Sequence, residues 1–281
     1  MTKPITALAV LILADRGLLR LSDPVIRYLP GFPPQMQILH LLTHSAGISQ
    51  QAYVEGISAP CRADAQLLVD FIGGLPLDFM PGTAAEYSPV AAYSLLTAII
   101  EQVAGMDFPT FVEKEIFTPC HMTDTTFLPS RDQWNRLLPM QGGGTVPGCV
   151  FESYPVTNPL GGAGLISSLT DYKNFAQALL EGRLLSPESH RLMTTPRLSE
   201  AVQPGHQRWG CGVRVITGED YGRLPVGSYG WSGTYGTHFW VDPKNEITAV
   251  YMKNSRLDGG AGAKTAAAFE QIVTDCLTPA G

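Results

Sequence analysis

The sequence begins with a stretch that would be apolar on nearly every face of a helix. Residues 2–16 hold no interior glycine, and Gly17 follows them as a C-terminal stop. A surface helix carries its apolar residues on one side, so a helix that is apolar all round belongs in the centre of a domain. Its most apolar part, residues 5–14, is about ten residues long, whereas a membrane-spanning helix needs about twenty. We therefore predict a buried core helix and no transmembrane segment.

Length and charge limit the number of domains and the kinds of partner that this chain can have. A chain of 281 residues can bury a substantial core in one or two domains. The formal net charge is −6, and Lys and Arg are scattered along the chain, so no basic surface for nucleic acid is expected. The start of the chain has neither the basic segment nor the cleavage site of a signal peptide. A cytoplasmic location is expected, unless residues ahead of Met1 carry an export signal.

The cysteines do not indicate a disulfide framework or a zinc site. They are odd in number and show no Cys-x-x-Cys spacing. The five are Cys61, Cys120, Cys149, Cys211 and Cys276. We expect buried, reduced side chains, and neither a metal nor another cofactor.

The spacing of apolar residues predicts helices first and a sheet afterwards. Helices are predicted at 25–28, 37–43, 64–72, 91–103, 108–116, 170–181, 187–193 and 261–276. Residues 129–159 are rich in Gly and Pro and are predicted as a long loop near a site. Strands are predicted at 210–216, 228–232, 237–241 and 247–252, with 242–245 as the turn between the last two. The last helix could cover the sheet.

Six ordered segments carry motif-like combinations of residues. They are MTKPITA at 1–7, LLTHSAG at 41–47, PGTAAEYS at 81–88, PCHMTDT at 119–125, GGAGL at 161–165 and GWSGTYGTHFWVDP at 230–243. In order and separation they resemble the motifs of the penicillin-recognising serine hydrolases, which include serine β-lactamases, DD-peptidases and other penicillin-binding proteins, and esterases. The third motif, Trp231-Ser232-Gly233, is similar to that of family VIII esterases related to class C β-lactamases. The resemblance covers essentially the whole chain.

The resemblance implies an α+β fold, an α/β sandwich in which helices flank an antiparallel sheet beside a mainly helical domain. Residues 1–20 and 160–281 would form the α/β region and residues 21–159 the helical region, with the active-site cleft between them. Two strands that the family places before its serine are absent from this chain. The remaining sheet would expose an edge, which favours a homo-oligomer or a complementing upstream chain.

The resemblance also implies a catalytic pair, Lys3 and Tyr87. The family's Ser-x-x-Lys motif would place a serine nucleophile directly ahead of Met1, on the same helix face as Lys3. Lys3 could act as a neutral base, or stay charged and ease the deprotonation of Tyr87. Tyr87 would give a proton to the leaving group and then activate water. Without the resemblance, Lys3 would be a solvated lysine and Tyr87 an ordinary half-buried tyrosine.

Residues of the third motif are implied to line the site. Trp231, Ser232 and Gly233 would form its wall, and the Thr234 N–H would complete an oxyanion hole with the N–H of the serine. A simple hairpin is the alternative interpretation of this segment. His238 is expected to point outward from a strand near the site and to contact substrate, whereas His44 is expected to satisfy a buried hydrogen bond.

Departures from the family pattern favour an ester substrate. Pro89 stands where β-lactamases and peptidases commonly carry an amide-binding asparagine, and Trp231 stands where β-lactamases carry lysine. We expect a serine hydrolase, specifically a carboxylesterase of small esters that works through an acyl-serine. An acyltransferase and a hydrolase of β-lactams or D-amino-acid peptides stay open, as does an inactive protein that binds a ligand or partner. The position of the serine leaves three possibilities: a shortened gene model, a two-piece enzyme, or a non-catalytic relative.

Overall fold

The computed structural model describes residues 1–138, 154–255, 257–260 and 262–277. Cys149 and residues 139–153 of the predicted loop lie outside the described residues. The helices are α1 (Lys3–Asp15), α2 (Ile38–Leu42), α3 (Gln50–Gly56), α4 (Ala59–Ala63), α5 (Ala65–Gly73), α6 (Ala91–Ala104), α7 (Phe108–Val112), α8 (Arg131–Asn135), α9 (Leu169–Leu180), α10 (Pro187–Thr194) and α11 (Lys264–Leu277). Short 3-10 turns occur at Val25–Arg27 and Glu219–Tyr221, and α7 continues into a π-helical turn, Glu113–Phe117.

Helix α1 occupies the centre of the molecule, as its composition predicts. Every residue from Lys3 to Leu13 is buried. The helix packs against α6 and α10. Gly17 adopts φ +69°, and its N–H donates to the Ala14 carbonyl at 2.9 Å, so the predicted glycine stop is confirmed.

The sequence pattern predicted the long helices and missed three of the short ones among the described residues. Each predicted helix forms, with ends that differ by no more than three residues. Helices α3, α4 and α8 were not predicted, and α8 corrects part of the loop expected at 129–159. These helices begin at serine caps, Ser49, Ser58 and Ser130, whose side chains accept a backbone N–H of the first turn. Helices of five to seven residues are too short to show a period.

The strands form one antiparallel sheet in the order in which they occur along the chain. They are β1 (Gln207–Trp209), β2 (Arg214–Ile216), β3 (Tyr229–Ser232), β4 (His238–Asp242) and β5 (Ile247–Tyr251). The predicted strand 210–216 is shorter than expected, because Gly210 donates its N–H to the Val213 carbonyl and makes the turn between β1 and β2. The turn predicted at 242–245 is confirmed. Together the helices and this sheet confirm the α+β fold class.

Helices cover both faces of the sheet. Successive side chains of a strand point to opposite faces, so neighbours on β4 pack against different helices. Phe239 contacts the rings of Tyr172 and Phe175 on α9. Trp240 instead belongs to an apolar cluster with Phe269 of α11. The division into an α/β region and a helical region stays a prediction.

The cysteine prediction is correct in part. Cys120 and Cys211 are buried, whereas Cys61 is half-buried and Cys276 is exposed on α11, contrary to expectation. All four are free thiols.

Within the described residues, no single helix is long and apolar enough to cross a membrane. One pair, Ala91–Ala104 with Phe108–Phe117, meets the length and composition test jointly and is bent by 77° at its break.

Candidate active site

A cleft of about 830 Å³ opens at the N-terminal end of α1. It is lined by residues 1–3, by Tyr87 and Pro89, by residues 162–168, by the end of β3 with residues 233–235, and by the end of α8 with residues 136–138. The predicted site residues Lys3, Tyr87, Trp231, Ser232, Gly233 and Thr234 therefore all line one cleft. His238 is not among its lining residues.

Lys3 is a buried residue at the start of α1, with only 2% of its surface exposed. Its Nζ donates hydrogen bonds to the carbonyl oxygens of Pro89 at 2.5 Å and Gly162 at 2.8 Å. The same nitrogen lies 5.2 Å from the ring centroids of Tyr87 and Tyr93, and 5.9 Å from that of Trp231. The interpretation of Lys3 as a solvated terminal lysine is therefore wrong.

Tyr87 lies in an irregular segment just before α6 and remains 41% exposed. Its ring packs edge-on against His44, with centroids 4.8 Å apart, and against Trp231 at 5.9 Å and Trp209 at 6.2 Å. Because one side of the ring is packed and the residue lines the cleft, Tyr87 combines a fixed position with access to a bound molecule.

The end of β3 passes close to the start of the chain at Gly233. A Cβ at this position would lie 2.2 Å from Thr237 Oγ1 and 3.0 Å from the Met1 nitrogen. The Gly233 N–H donates to the Thr237 carbonyl at 2.7 Å. A side chain at this position would have to displace Thr237 and press against the start of the chain, and the Gly233 N–H helps to shape the turn that leads to Thr234.

His238 faces away from the cleft, which differs from the expected substrate contact. It pairs with Ser232 across β3 and β4, so both side chains lie on the sheet face that α11 covers. His238 Nδ1 lies 2.9 Å from Ser232 Oγ, and Nε2 lies 3.2 Å from Glu270 Oε1. Burial lowers the pKa of His238 despite the nearby carboxylate, so the neutral ring lies between Ser232 and Glu270.

Glu270 is the centre of a buried charged cluster behind the cleft. Its carboxylate accepts hydrogen bonds from Arg214 Nη2 at 2.8 Å, Arg223 Nε at 3.0 Å and the Tyr221 hydroxyl at 2.6 Å. Burial alone would raise the pKa of Glu270, but the contacts with His238, Arg214, Tyr221 and Arg223 outweigh it and lower the pKa to about 2. The ionised carboxylate therefore fastens α11 to the sheet.

A known sequence family matches nearly the full length of the chain. The family described as Beta-lactamase matches residues 1–272. The chain belongs to the β-lactamase family. This is a family of serine hydrolases, and the resemblance predicted from the six motifs is confirmed.

Relatives of this β-lactamase-family chain include an esterase and a penicillin-binding protein. The chain is 29% identical over 319 residues to Esterase EstB of Burkholderia gladioli, covering 96% of this chain and 80% of the esterase. It is 29% identical over 281 residues to Penicillin-binding protein 4* of Bacillus subtilis (strain 168), covering 92% of this chain and 60% of that protein. Among solved structures, EstCE1, a hydrolase with promiscuous acyltransferase activity, superposes with a TM-score of 0.79 at 23% identity. That superposition covers 96% of this chain and 82% of EstCE1 and shows the shared fold.

Cations that line this β-lactamase-family cleft already contact oxygen atoms within the described chain. Lys3 binds two carbonyls. Arg136 forms a bidentate pair with Asp124, at 2.7 and 2.5 Å. Lys253 Nζ donates to the Leu257 carbonyl and to Thr265 Oγ1, each at 3.0 Å. Among the described residues, no cluster of His, Cys, Asp or Glu could hold a metal ion.

Sequence reasoning missed several residues that build the site. The buried hydrogen bond expected of His44 is confirmed, because its Nδ1 accepts the Ser88 N–H at 3.3 Å. Its ring contacts were not predicted, and Tyr93 and Trp209 were not considered, yet the three rings pack together beside Tyr87. The glycine run at 161–164 was a usable signal. A Cβ on Gly162 would lie 2.9 Å from the Pro89 carbonyl oxygen, so glycine allows both carbonyls to approach Lys3.

Proposed function

We propose that this chain is an esterase that acts on small neutral esters through an acyl-serine, with Lys3 and Tyr87 as its proton-transfer pair. The observation that carries the proposal is the placement of Lys3. A buried ammonium group beneath the Tyr87 ring, on the wall of an open cleft, has the position required to stabilise a phenolate.

Burial opposes a charge on Lys3, and the groups around its Nζ favour that charge. Two carbonyl oxygens accept hydrogen bonds from Nζ, and the faces of three aromatic rings surround it. Carbonyl oxygens and π faces both stabilise an ammonium group. Of the two roles that the sequence left open, we therefore assign to Lys3 the electrostatic one, in which its charge eases the deprotonation of Tyr87.

The nucleophile is proposed to be a serine directly ahead of Met1, where the Ser-x-x-Lys spacing places it. The start of α1 is held in the cleft wall, because the Tyr172 hydroxyl donates to the Met1 carbonyl at 2.7 Å and the Leu165 N–H donates to Thr2 Oγ1 at 3.2 Å. The Met1 nitrogen also lies beside Gly233. A residue joined to that nitrogen would enter the cleft next to the strand end that carries Thr234.

The proposed cycle has two half-reactions. Tyr87 takes the serine proton as the serine oxygen attacks the ester carbonyl, and the Thr234 N–H helps to stabilise the oxyanion. Tyr87 then gives the proton to the alcohol that leaves. In the second half, Tyr87 takes a proton from water as that water attacks the acyl-serine, and then gives the proton to the serine oxygen as the acid leaves.

The cleft favours a neutral substrate. β-Lactams and the C-termini of peptides carry a carboxylate, which needs a cation to bind it. The cleft cations Lys3, Arg136 and Lys253 are already paired within the described chain, and apolar residues such as Trp134 and Leu138 line the wall beside them. An alkyl or aryl ester matches that lining better than an anionic amide.

The test is ester hydrolysis by the chain with a serine placed directly ahead of Met1. With p-nitrophenyl butyrate we expect a burst of p-nitrophenol and a butyryl group on that serine, located by peptide mass spectrometry. Nitrocefin, an anionic β-lactam, should be turned over much more slowly. Added primary alcohol would report acyl transfer as formation of a butyrate ester.

The Tyr87→Phe variant of the same protein keeps the packed ring and removes the hydroxyl. We expect its ester turnover to fall by about 10³-fold, as for loss of a general acid and base. Unchanged turnover would contradict the role of Tyr87. If neither the serine-bearing protein nor the chain without the serine gives a burst, the ligand-binding alternative is favoured.

A further inference from the structure

His44 holds both neighbours of Tyr87 in the chain. The Glu86 N–H donates to the His44 carbonyl at 2.9 Å, and the Ser88 N–H donates to His44 Nδ1 at 3.3 Å. Between these two hydrogen bonds, the imidazole packs edge-on against the Tyr87 ring, with centroids 4.8 Å apart. One residue thus contacts the backbone on each side of Tyr87 and the ring itself.

The backbone of His44 adopts a conformation that few side chains tolerate. Its φ is +55°, in the left-handed region, where residues other than Gly are uncommon and Asn, Asp and His are the ones most often found. The residue follows α2. This left-handed turn directs both its carbonyl oxygen and its ring toward the segment 86–88. A bulky residue in this conformation is strained, so its presence indicates that the surrounding contacts determine it.

The contacts also fix where the imidazole carries its proton. Nδ1 accepts the Ser88 N–H, so its lone pair is occupied and the proton of the neutral ring lies on Nε2. Nε2 is buried and has no hydrogen-bond partner among the described residues. The rings of Tyr93, Trp209 and Trp231 surround it at centroid distances of 5.4, 5.1 and 5.9 Å. The ring atom that holds the segment next to Tyr87 by a hydrogen bond is therefore the acceptor, Nδ1.

We infer that His44 is a positioning residue for Tyr87, acting through the Ser88 N–H and the packed ring. The inference rests on the proposed function of Tyr87. His44 does not line the cleft, so it acts on the reaction only through the tyrosine. A displacement of about 1 Å in a reacting group is enough to cost about 10²-fold in rate.

The neutral form of His44 is essential to this role. A second proton would have to occupy Nδ1 and would expel the Ser88 N–H. The titratable groups that face the ring are Lys3 of α1, Tyr87 in the segment before α6, and Tyr93 of α6. Burial, and then the charge of Lys3, hold the pKa of His44 well below its ordinary 6.5. The Nε2–H form should therefore persist throughout the neutral pH range.

Two substitutions in the serine-bearing protein separate the acceptor from the bulk of the ring. In His44→Asn, the side-chain oxygen takes the place of Nδ1 and the residue tolerates positive φ. His44→Leu keeps comparable volume and has no acceptor. Because Leu does not favour positive φ, its free energy of unfolding is measured beside kcat, so that lost folding is not counted as lost catalysis. We expect kcat to fall by about 10- to 100-fold in the Leu variant with little change in KM. The Asn variant should stay within about threefold of the parent rate.

Nitrogen-15 NMR of the imidazole tests the same contact without activity. The resonances are assigned by their loss in His44→Asn, and we expect the Nε2–H tautomer from pH 6 to pH 9. A Nδ1–H tautomer, or a ring protonated on both nitrogens at pH 7, would overturn the inference even if His44→Leu proved too unstable to assay.

The outcomes separate this inference from the proposed function. Parent-like kcat in His44→Leu beside an inactive Tyr87→Phe would overturn the positioning role alone. Equal losses of kcat in the Leu and Asn variants would also overturn it, because the acceptor would not matter. An active Tyr87→Phe variant would instead overturn the proposed function and with it any catalytic role of His44.

Discussion

At the scale of single residues, glycine is as necessary to the site as the groups that carry chemistry. Gly162 supplies one of the two carbonyls that bind Lys3, and the segment that supplies the other, Pro89, passes directly against it. A Cβ on Gly162 would lie 2.9 Å from the Pro89 carbonyl oxygen and 3.0 Å from Val90 Cα. Backbone atoms cannot rotate aside, so an added methyl group must separate the two segments.

Gly162→Ala should therefore loosen Lys3. We expect a loss of about 1–3 kcal/mol in the free energy of unfolding, as for other overpacked sites, and a fall in ester turnover. Gly73→Ala is the matched control, because its Cβ would meet nothing closer than 3.6 Å. Denaturant unfolding and p-nitrophenyl butyrate hydrolysis check both variants. Equal effects at the two glycines would contradict the close approach at Gly162.

At the scale of elements, α11 is fastened to the sheet by one carboxylate. Glu270 on α11 accepts from Arg214 on β2, Arg223 and Tyr221. Removing one partner of a buried ion pair leaves the other charges buried without compensation. His238 lies between this cluster and Ser232 at the end of β3. The docking of α11 therefore supports the strand that ends at the cleft.

Glu270→Gln should destabilise the protein by about 3–5 kcal/mol at pH 7. Glu181→Gln is the control, because Glu181 pairs with Arg183 at an exposed site, where an ion pair contributes at most about 1 kcal/mol. Thermal unfolding of the three proteins measures the difference. A Glu270→Gln variant as stable as Glu181→Gln would show that the cluster does not hold α11.

The same carboxylate predicts a pH dependence. Its pKa is lowered from 4.5 to about 2 in the folded protein, so its contribution to stability is present above pH 4.5 and is lost as the pH falls from 4.5 toward 2. That contribution is about 3 kcal/mol. Unfolding followed between pH 5 and pH 2 should show a steeper loss of stability in the parent than in Glu270→Gln. Parallel curves would contradict the low pKa.

The sequence predicted the helices whose apolar residues repeat over several turns, and the turns that carry typical turn residues. The mainly apolar α1, the helix α6 and the turn after β4 formed as predicted. Helices α3, α4 and α8 depend on a capping serine and a few residues, which leave no period to detect. Strand β1 was missed because its three residues are defined by pairing with β2, not by their own composition.

At the scale of the whole molecule, the cleft depends on contacts between distant parts of the chain. Motif spacing predicted Lys3, Tyr87 and Trp231 as neighbours, and the structure brings them together. Spacing could not predict that His238 turns toward α11, since that depends on which sheet face the helix covers. Nor could it show that the carbonyls of Pro89 and Gly162 bind Lys3, because backbone acceptors leave no trace in the sequence.

Charge pairing at one wall of the cleft should control the choice between neutral and anionic substrates. Asp124 neutralises Arg136 at the wall formed by the end of α8. Asp124→Asn would leave the Arg136 charge uncompensated beside a bound substrate. In the serine-bearing protein we expect kcat/KM for a carboxylate-bearing p-nitrophenyl ester to rise by about threefold relative to p-nitrophenyl butyrate, with the gain lost at high salt. An unchanged ratio at low salt would show that this pair does not control selectivity.

We propose that Lys3 and Tyr87 act as one proton-transfer unit, and a double-mutant cycle on ester turnover measures the coupling between them. In the serine-bearing protein, Lys3→Met and Tyr87→Phe should each reduce kcat by about 10³-fold. The double variant should lose no more than about the larger single loss, because residues that act as a unit are not additive. A double variant slowed by the product of the two single losses would show that Lys3 and Tyr87 act independently.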